Sequence, residues 1–444
     1  MMAEGPNIVG EHAEGKPAEG SPSAKVPQLV DHLFRHQAGQ VVSTLTRIFG
    51  PQHIDLAEDV VQETLIKALR QWPYRGIPDN PAAWIMRVAK NAALDVLRRD
   101  RALLDKQEEI ARLPEYSTGT PGPQVELIDN QLWDDQLRMM FTCCHPAISR
   151  PARVALTLKT LGGFGVPEIA RAFLTQESTI AQRLVRAKHT IREMNIPFEV
   201  PGAEELPARL DSVLDVIYLL FNEGYNAHQG EDLVRHDLCE EAIRLGTLAA
   251  CHPAGDRPKV HALLALMLLQ ASRLPARTTP EGDLLLLDEQ DRARWDKRLI
   301  WQGFLALELS ASGDEMSEYH LQASIAACHA AAPSYEDTDW ARILAQYDLL
   351  VGMTSSPVVA LNRAVALAMV HGPEEGLVEL ARVKRMPGME GYHLLHATAA
   401  EFWRRLGDHA RASESYKRAL DLKANEAEKR FLKRKIAECE SAQS

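Results

Sequence analysis

The 444-residue sequence has little cysteine, few aromatic residues and no long apolar run. Its six cysteines (Cys143, Cys144, Cys239, Cys251, Cys328 and Cys439) form no CxxC pair. A disulfide framework or a structural zinc ribbon is therefore not expected, and the thiols read as reduced and mostly buried. The longest apolar stretches, such as residues 263–269, fall far short of the ~20 residues that span a bilayer, so no membrane segment is expected. Residues 1–24 are rich in Gly, Pro, Ala and Glu and lack an apolar signal core. They read as part of a disordered tail (1–25), and the chain as cytoplasmic. Runs of alternating polar and apolar residues are also missing, which argues against a sheet. Finally, Lys and Arg fall short of Asp and Glu by 50 to 61, a net charge of −11. Spread evenly, that charge would repel phosphate and exclude a wholly basic nucleic-acid binder.

What is present is helical periodicity throughout. Ala/Leu/Arg/Glu-rich segments are separated by short Gly/Pro/Asp breaks, which predicts an all-α protein. Two Pro-rich, aperiodic stretches, 114–123 and 195–207, mark linkers. Residues 1–200 hold 23 Lys+Arg against 24 Asp+Glu, a balance of −1, whereas residues 201–444 hold 27 against 37, or −10. The acidity lies almost entirely in the C-terminal half.

Residues 55–72 read as an amphipathic helix. Leu56, Val60, Leu65, Ala68 and Leu69 would face a core, while Asp55, Glu58, Asp59, Gln62 and Glu63 form an acidic stripe. By itself such a stripe is more often simply solvated. Residues 81–101 read as a second helix, with Asp79 or Asn80 as cap and Pro81 in the first turn. It presents Arg87, Lys90, Arg98, Arg99 and Arg101, with Trp84 and Asn91 nearby. Cations that displace counterions, beside an aromatic able to stack on an unpaired base, suit a nucleic-acid surface. A core Trp on an ordinary charged helix fits equally well.

Residues 166–188 have the pattern of a helix-turn-helix. Ile169, Ala170 and Phe173 point inward from a short helix, residues 174–176 form the turn, and residues 178–188 form a second helix with Ile180, Leu184 and Ala187 inward and Ser178 as cap. Its outward positions, Thr179, Gln182, Arg183, Arg186 and Lys188, suit base edges and phosphates. A structural helical hairpin without a DNA role is the alternative.

Taken together, 57–64 (AEDVVQET), 84–91 (WIMRVAKN) with Asp95, Arg98 and Arg99, and 166–188 resemble, in order, three segments of a bacterial sigma factor of the extracytoplasmic-function group. The resemblance implies that Asp59, Gln62 and Glu63 contact the β′ clamp helices of core RNA polymerase. It implies that Trp84, Arg87, Lys90, Asn91, Arg98 and Arg99 meet the −10 element. Thr179, Gln182, Arg183, Arg186 and Lys188 would meet the −35 element, and the β flap would be a further contact. Ala181 departs from the cation common in such a recognition helix, and the linker between the two modules is long. The implied organisation is a first module at 26–104, a flexible linker at 105–130, a second module at 131–195, a linker at 196–207 and a large helical domain at 208–444.

That last domain reads as a run of helices. Ala400, Trp403, Gly407, Ala412, Tyr416 and Ala419 match a tetratricopeptide pattern, and Ala364 and Gly372 give a weaker echo. Residues 218–225, 237–245, 262–269 and 356–364 resemble recurrent segments of the sigma-factor subgroup with a large C-terminal tetratricopeptide-like extension, which implies regulation by the fused domain, through a protein regulator acting on it. An acidic domain of this kind could also shield the cationic helices from random DNA. Catalysis, a cofactor or a metal is not expected. Asn222, Glu223, His228, His236 and Asp237, and the pairs Cys143-Cys144-His145 and Cys251-His252, lack the ligand spacing of known structural zinc sites. A helix-turn-helix regulator with a helical sensor domain, and a scaffold of helical repeats, are the competing readings.

Overall fold

The computed structural model describes residues 37–99, 123–173, 175–225, 235–279, 283, 285–422 and 426–442. The expected N-terminal tail and the Pro-rich stretch 114–122 lie outside them. The described residues are helical, as the periodicity predicts, and none of their helices is long and apolar enough to cross a membrane. The chain divides into two compact units, Met1–Asp129 with Thr160–Gly163, and Asn130–Lys159 with Phe164–Ser444.

The first unit contains α1 (37–49), α2 (Ile54–Arg75) and α3 (Pro81–Arg99). Gly50, at φ +91°, turns the chain between α1 and α2. Leu45, Ile48 and Phe49 of α1, Ile54, Ala57, Val61, Leu65 and Trp72 of α2, and Ile85, Ala89 and Ala93 of α3 are all buried. The inward face of α2 is thus rotated from the expected one. Val60, Leu65 and Ala68 are buried as predicted and Leu56 is half-buried, but Leu69 is 44% exposed. At α3 the expected cap forms, with the Ala83 N–H donating to Asn80 Oδ1 at 3.0 Å.

The second unit begins with α4 (Pro123–Cys143, of which residues from 130 on belong to it), α5 (Arg150–Thr160, to Lys159), α6 (Val166–Ala172) and α7 (Glu177–Glu193). It continues through α8 (Leu206–Tyr225), α9 (His236–Cys251), α10 (Pro258–Ala271), α11 (Lys297–Ser310), α12 (Glu318–Ala331), α13 (Trp340–Met353), α14 (Pro357–His371), α15 (Pro373–Val383), α16 (His393–Arg405), α17 (His409–Leu422) and α18 (Glu426–Ser441). Helix α10 is buried almost all round, from Val260 to Leu269, and packs against α8, α9, α11 and α12. A helix apolar on every side has no stable place except such a centre. The sequence pattern predicts one helix over 291–310. Instead Arg292–Arg294 forms a separate 3-10 turn, because Asp296 accepts from Arg298 N and Leu299 N (2.8 and 3.1 Å) and so starts α11 afresh.

Toward the C-terminus small residues set the spacing between helices. Ala400, Ala412, Tyr416 and Ala419 are buried together with Phe431 and Leu432, and Trp403 packs at the edge of that cluster. Gly407 turns at φ +77° between α16 and α17. Ala364 is buried in a neighbouring cluster with Leu361, Leu380 and Phe402, and Gly372 turns at φ +101° between α14 and α15. Helix α15 sits so close to its neighbours that a Cβ on Gly376 would lie 2.6 Å from Ala368 Cβ and 2.7 Å from Phe402 Cε2. Gly376→Val should therefore lower stability by about 1–3 kcal/mol, the usual cost of overpacking. The check is a shift in the midpoint of chemical denaturation of the full-length protein.

Candidate nucleic-acid interface

On α2, Asp59, Gln62 and Glu63 are all exposed, one turn from the exposed apolar side chains Ile66 (42%) and Leu69 (44%). Glu63 pairs with Lys67 at 3.0 Å, a solvent-facing pair of little net worth. The surface is thus acidic at one end and apolar at the other, a composition suited to a protein partner. Ile66 was not singled out from the sequence, and Leu69 was read as facing the core. Their three-residue spacing continues the stripe Asp59, Gln62/Glu63, Ile66, Leu69.

On α3, Arg87, Asn91 and Arg98 are exposed, and Lys90 is half-buried. Arg98 forms an open ion pair with Asp95 at 3.2 Å, each side chain 60% exposed. Such a pair is weak enough to exchange for a phosphate. The side chain of Arg99 lies outside the described residues. Trp84 is half-buried, and its ring meets the buried Trp72 edge-on at 5.4 Å. The ring of Trp84 thus helps anchor α3 on α2.

In the second unit, Gly165 N donates to Glu168 Oε2 at 2.7 Å to start α6. The turn is closed by Phe173 N to Ile169 O and Thr175 N to Ala170 O, both 3.0 Å. Ile169, Ala170, Ile180, Leu184 and Ala187 are buried, as the pattern predicts, whereas Phe173 is half-buried. Ser178 is not the cap. The helix starts one residue earlier, at Glu177, with Gln176 as the cap residue and its carbonyl accepting from Thr179 N and Ile180 N (2.9 and 3.2 Å). Gln182 and Arg186 are exposed, and Thr179, Arg183 and Lys188 are half-buried at the flanks of α7. The most exposed line of the helix runs through Ser178, Ala181, Gln182, Val185 and His189. Val185, 68% exposed, was missed because an apolar residue in a helical pattern is assigned inward by default.

Three contacts join this helix-turn-helix module to the C-terminal helices within the second unit. Arg150 Nε donates to Asp215 Oδ2 at 2.6 Å, and a second guanidinium N–H of Arg150 reaches Asp215 Oδ1. The buried Arg209 donates to the Phe141 carbonyl at 2.8 Å. His252 Nε2 donates to Asp134 Oδ1 at 2.9 Å, its tautomer set by Nδ1 accepting from Ala254 N at 3.1 Å. All three engage α4, α5 or the turn before α5. These three contacts do not involve α7. Residues 196–207, expected as a linker, hold a buried Pro201 and a Pro197 carbonyl that accepts from Thr142 Oγ1 at 3.2 Å.

Residues 33–102, which include α1–α3, match sigma-70 region 2. An uncharacterised protein of Rhizobium meliloti is 37% identical over 89% of this chain and 92% of its own length. The ECF RNA polymerase sigma-E factor of Haemophilus influenzae is 29% identical over 36% of this chain and 83% of its own length, and that of Escherichia coli K12 27% over 30% and 70%. The chain belongs to the sigma-70 family, in its extracytoplasmic-function group. Residues 209–311, covering most of α8–α11, match a family of unknown function, DUF6596. No solved structure matches the chain.

Among the described residues no three His, Cys, Asp or Glu side chains are placed to hold a metal ion. His228 lies outside the described residues. Arg235 pairs with Asp237 at 2.9 Å, and burial raises the Glu223 carboxyl. Cys143 and Cys144 are buried, and burial pushes the Cys144 thiol up to about 12. A thiol at that value is not a nucleophile at neutral pH. A short iodoacetamide pulse on the native protein at pH 8 should leave Cys144 unlabelled and label the exposed Cys251, read by peptide mass spectrometry.

Proposed function

We propose that the chain binds core RNA polymerase and directs it to promoters with a −35 and a −10 element. The single observation that carries this reading is the pairing in the first unit of two adjacent helices with different surfaces. Helix α2 shows an acidic and apolar face suited to a protein, and α3 a cationic face suited to DNA. Asp59, Gln62 and Glu63, extended by Ile66 and Leu69, dock on the β′ clamp helices. Trp84, Arg87, Lys90, Asn91, Arg98 and Arg99 bind and open the −10 element, with Arg87 and Arg98 on phosphates and the open edge of Trp84 against an unstacked base. Thr179, Gln182, Arg183, Arg186 and Lys188 read the −35 element, and the helix-turn-helix module also meets the β flap. Gln182 and Arg186 sit where a recognition helix faces base edges, with Arg183 and Lys188 toward the backbone of the duplex.

The tetratricopeptide-like helices of 208–444 regulate this activity. Their ion pairs to α4 and α5 support a role in setting where α7 is held. On α11, Trp301, Phe304, Leu305 and Leu309 form an exposed apolar face, which supports a protein regulator acting on this domain.

Run-off transcription with purified core polymerase tests the reading. The wild-type protein should bind core and give promoter-dependent transcripts. Asp59→Arg with Glu63→Arg should abolish core binding, and an unaffected double variant would overturn the docking assignment. Gln182→Ala and Arg186→Ala should each cost about 1–3 kcal/mol of discrimination at the −35 element, whereas Arg183→Ala should weaken binding there without changing base preference. Arg87→Ala should weaken binding to all promoters alike and reduce the salt slope by about one counterion.

A further inference from the structure

The C-terminal helices hold one group of side chains that the sigma-factor function does not use. Arg273 follows α10, and Arg292 lies in the 3-10 turn before α11. Both guanidinium groups lie over the ring of Trp295, at 5.5 and 4.8 Å from its centroid. Arg292 is fixed in place, donating to the carbonyls of His329 and Ala332 (2.5 and 2.7 Å) and to Thr338 Oγ1 at 3.2 Å. The His329 ring meets Trp340 edge-on at 5.3 Å, and Tyr335 meets the same Trp340 at 5.7 Å. Trp295 is 3% exposed and His329 9%.

Two features of this cluster stand out chemically. First, among the described residues neither Arg273 nor Arg292 has a carboxylate within ion-pair distance; Arg273 reaches only Gln270 Oε1, at 3.4 Å. Facing cations without an anion between them repel. Burial and Arg273 lower the Arg292 pKa against the weaker opposing pull of Glu336 and Asp337, and burial with both arginines pushes His329 down to about 3, so its ring is neutral. Second, Arg273 Nε, Trp295 Nε1, His329 Nδ1 and Trp340 Nε1 are buried with no hydrogen-bond partner. Native proteins satisfy nearly all such atoms, so four in one neighbourhood call for an acceptor. Three of the four are N–H donors, and the imidazole becomes a fourth in its Nδ1–H tautomer. What satisfies N–H donors and neutralises two guanidinium groups at once is an oxyanion.

We infer that Arg273, Arg292, Trp295, His329 and Trp340 form a binding site for a small molecule bearing a phosphate or carboxylate group. The inference does not depend on the sigma-factor reading. The site lies in the same compact unit as the helix-turn-helix module, so a ligand held there stabilises the unit that carries α7.

The test uses the full-length protein. Sodium phosphate and sodium acetate are titrated separately against sodium chloride at constant ionic strength, and Tm and binding heat are followed. At least one of the two anions should raise Tm in a saturable way, and which one does distinguishes a phosphate from a carboxylate ligand. Arg273→Gln should weaken binding at least tenfold, Arg273→Lys less, and Trp340→Phe, which keeps the ring but removes one orphan donor, severalfold. The last variant keeps the test decisive should Arg273→Gln fail to fold. No saturable response to either anion would overturn the site and leave its donors to water. So would an equal response in wild type and in Trp340→Phe together with every folded Arg273 variant.

Discussion

A buried guanidinium fixes the arrangement of the second unit. Arg209, near the start of α8, has a side chain only 9% exposed, and burial lowers its pKa. A cation in that position is costly unless its N–H groups are bonded. The Phe141 carbonyl near the end of α4 meets part of that demand, with Glu205 at 4.0 Å, while Nε stays without a partner. The last four carbonyls of a helix lack intrahelical partners, so the same bond also satisfies an orphan acceptor. The helix-turn-helix module and the C-terminal helices are thereby one compact unit, and Arg150–Asp215 and His252–Asp134 add direction at its edges.

This attachment changes the meaning of the acidic half. A charge of −10 over residues 201–444 suggests a domain that masks DNA-binding cations. Individual acids are used in local contacts, one on α5 and others in the pairs that hold the helices together. Asp215 takes Arg150, Asp211 takes Lys259, and Glu379 takes Arg363 and Arg382. The remaining acids give that half a negative field.

The architecture beyond α8 rests on a different economy. Helix α10 has no polar face, so it takes the centre and every neighbour packs on it. Further along, alanines and glycines bring helices close, and Phe402, Tyr416 and Phe431 fill what remains. On α11 the packing leaves a large apolar face open, and around Trp295 it leaves buried donors without acceptors. Both departures occur beside Asp296, where the chain breaks one expected helix into two.

The amino-acid sequence by itself determined the elements and their kind. Period-3.6 patterning predicts nearly every helix, the turn between α6 and α7, the inward residues Ile180, Leu184 and Ala187, and the small residues of α16 and α17, because these follow from spacing within one segment. It also places Asp59, Gln62, Glu63, Arg87 and Arg186 on exposed surfaces. Only the tertiary structure decided that Leu69 and Val185 face outward, that Trp84 is held by Trp72, and that Arg209, Arg150 and His252 bind residues 65 to 118 positions away. The reason is physical. An apolar residue in a helical pattern is read as core until the packing shows that nothing covers it, and a charge is read as solvated until a distant segment supplies its partner. The cluster around Trp295 belongs to the same class, since its residues come from four segments that no local pattern connects.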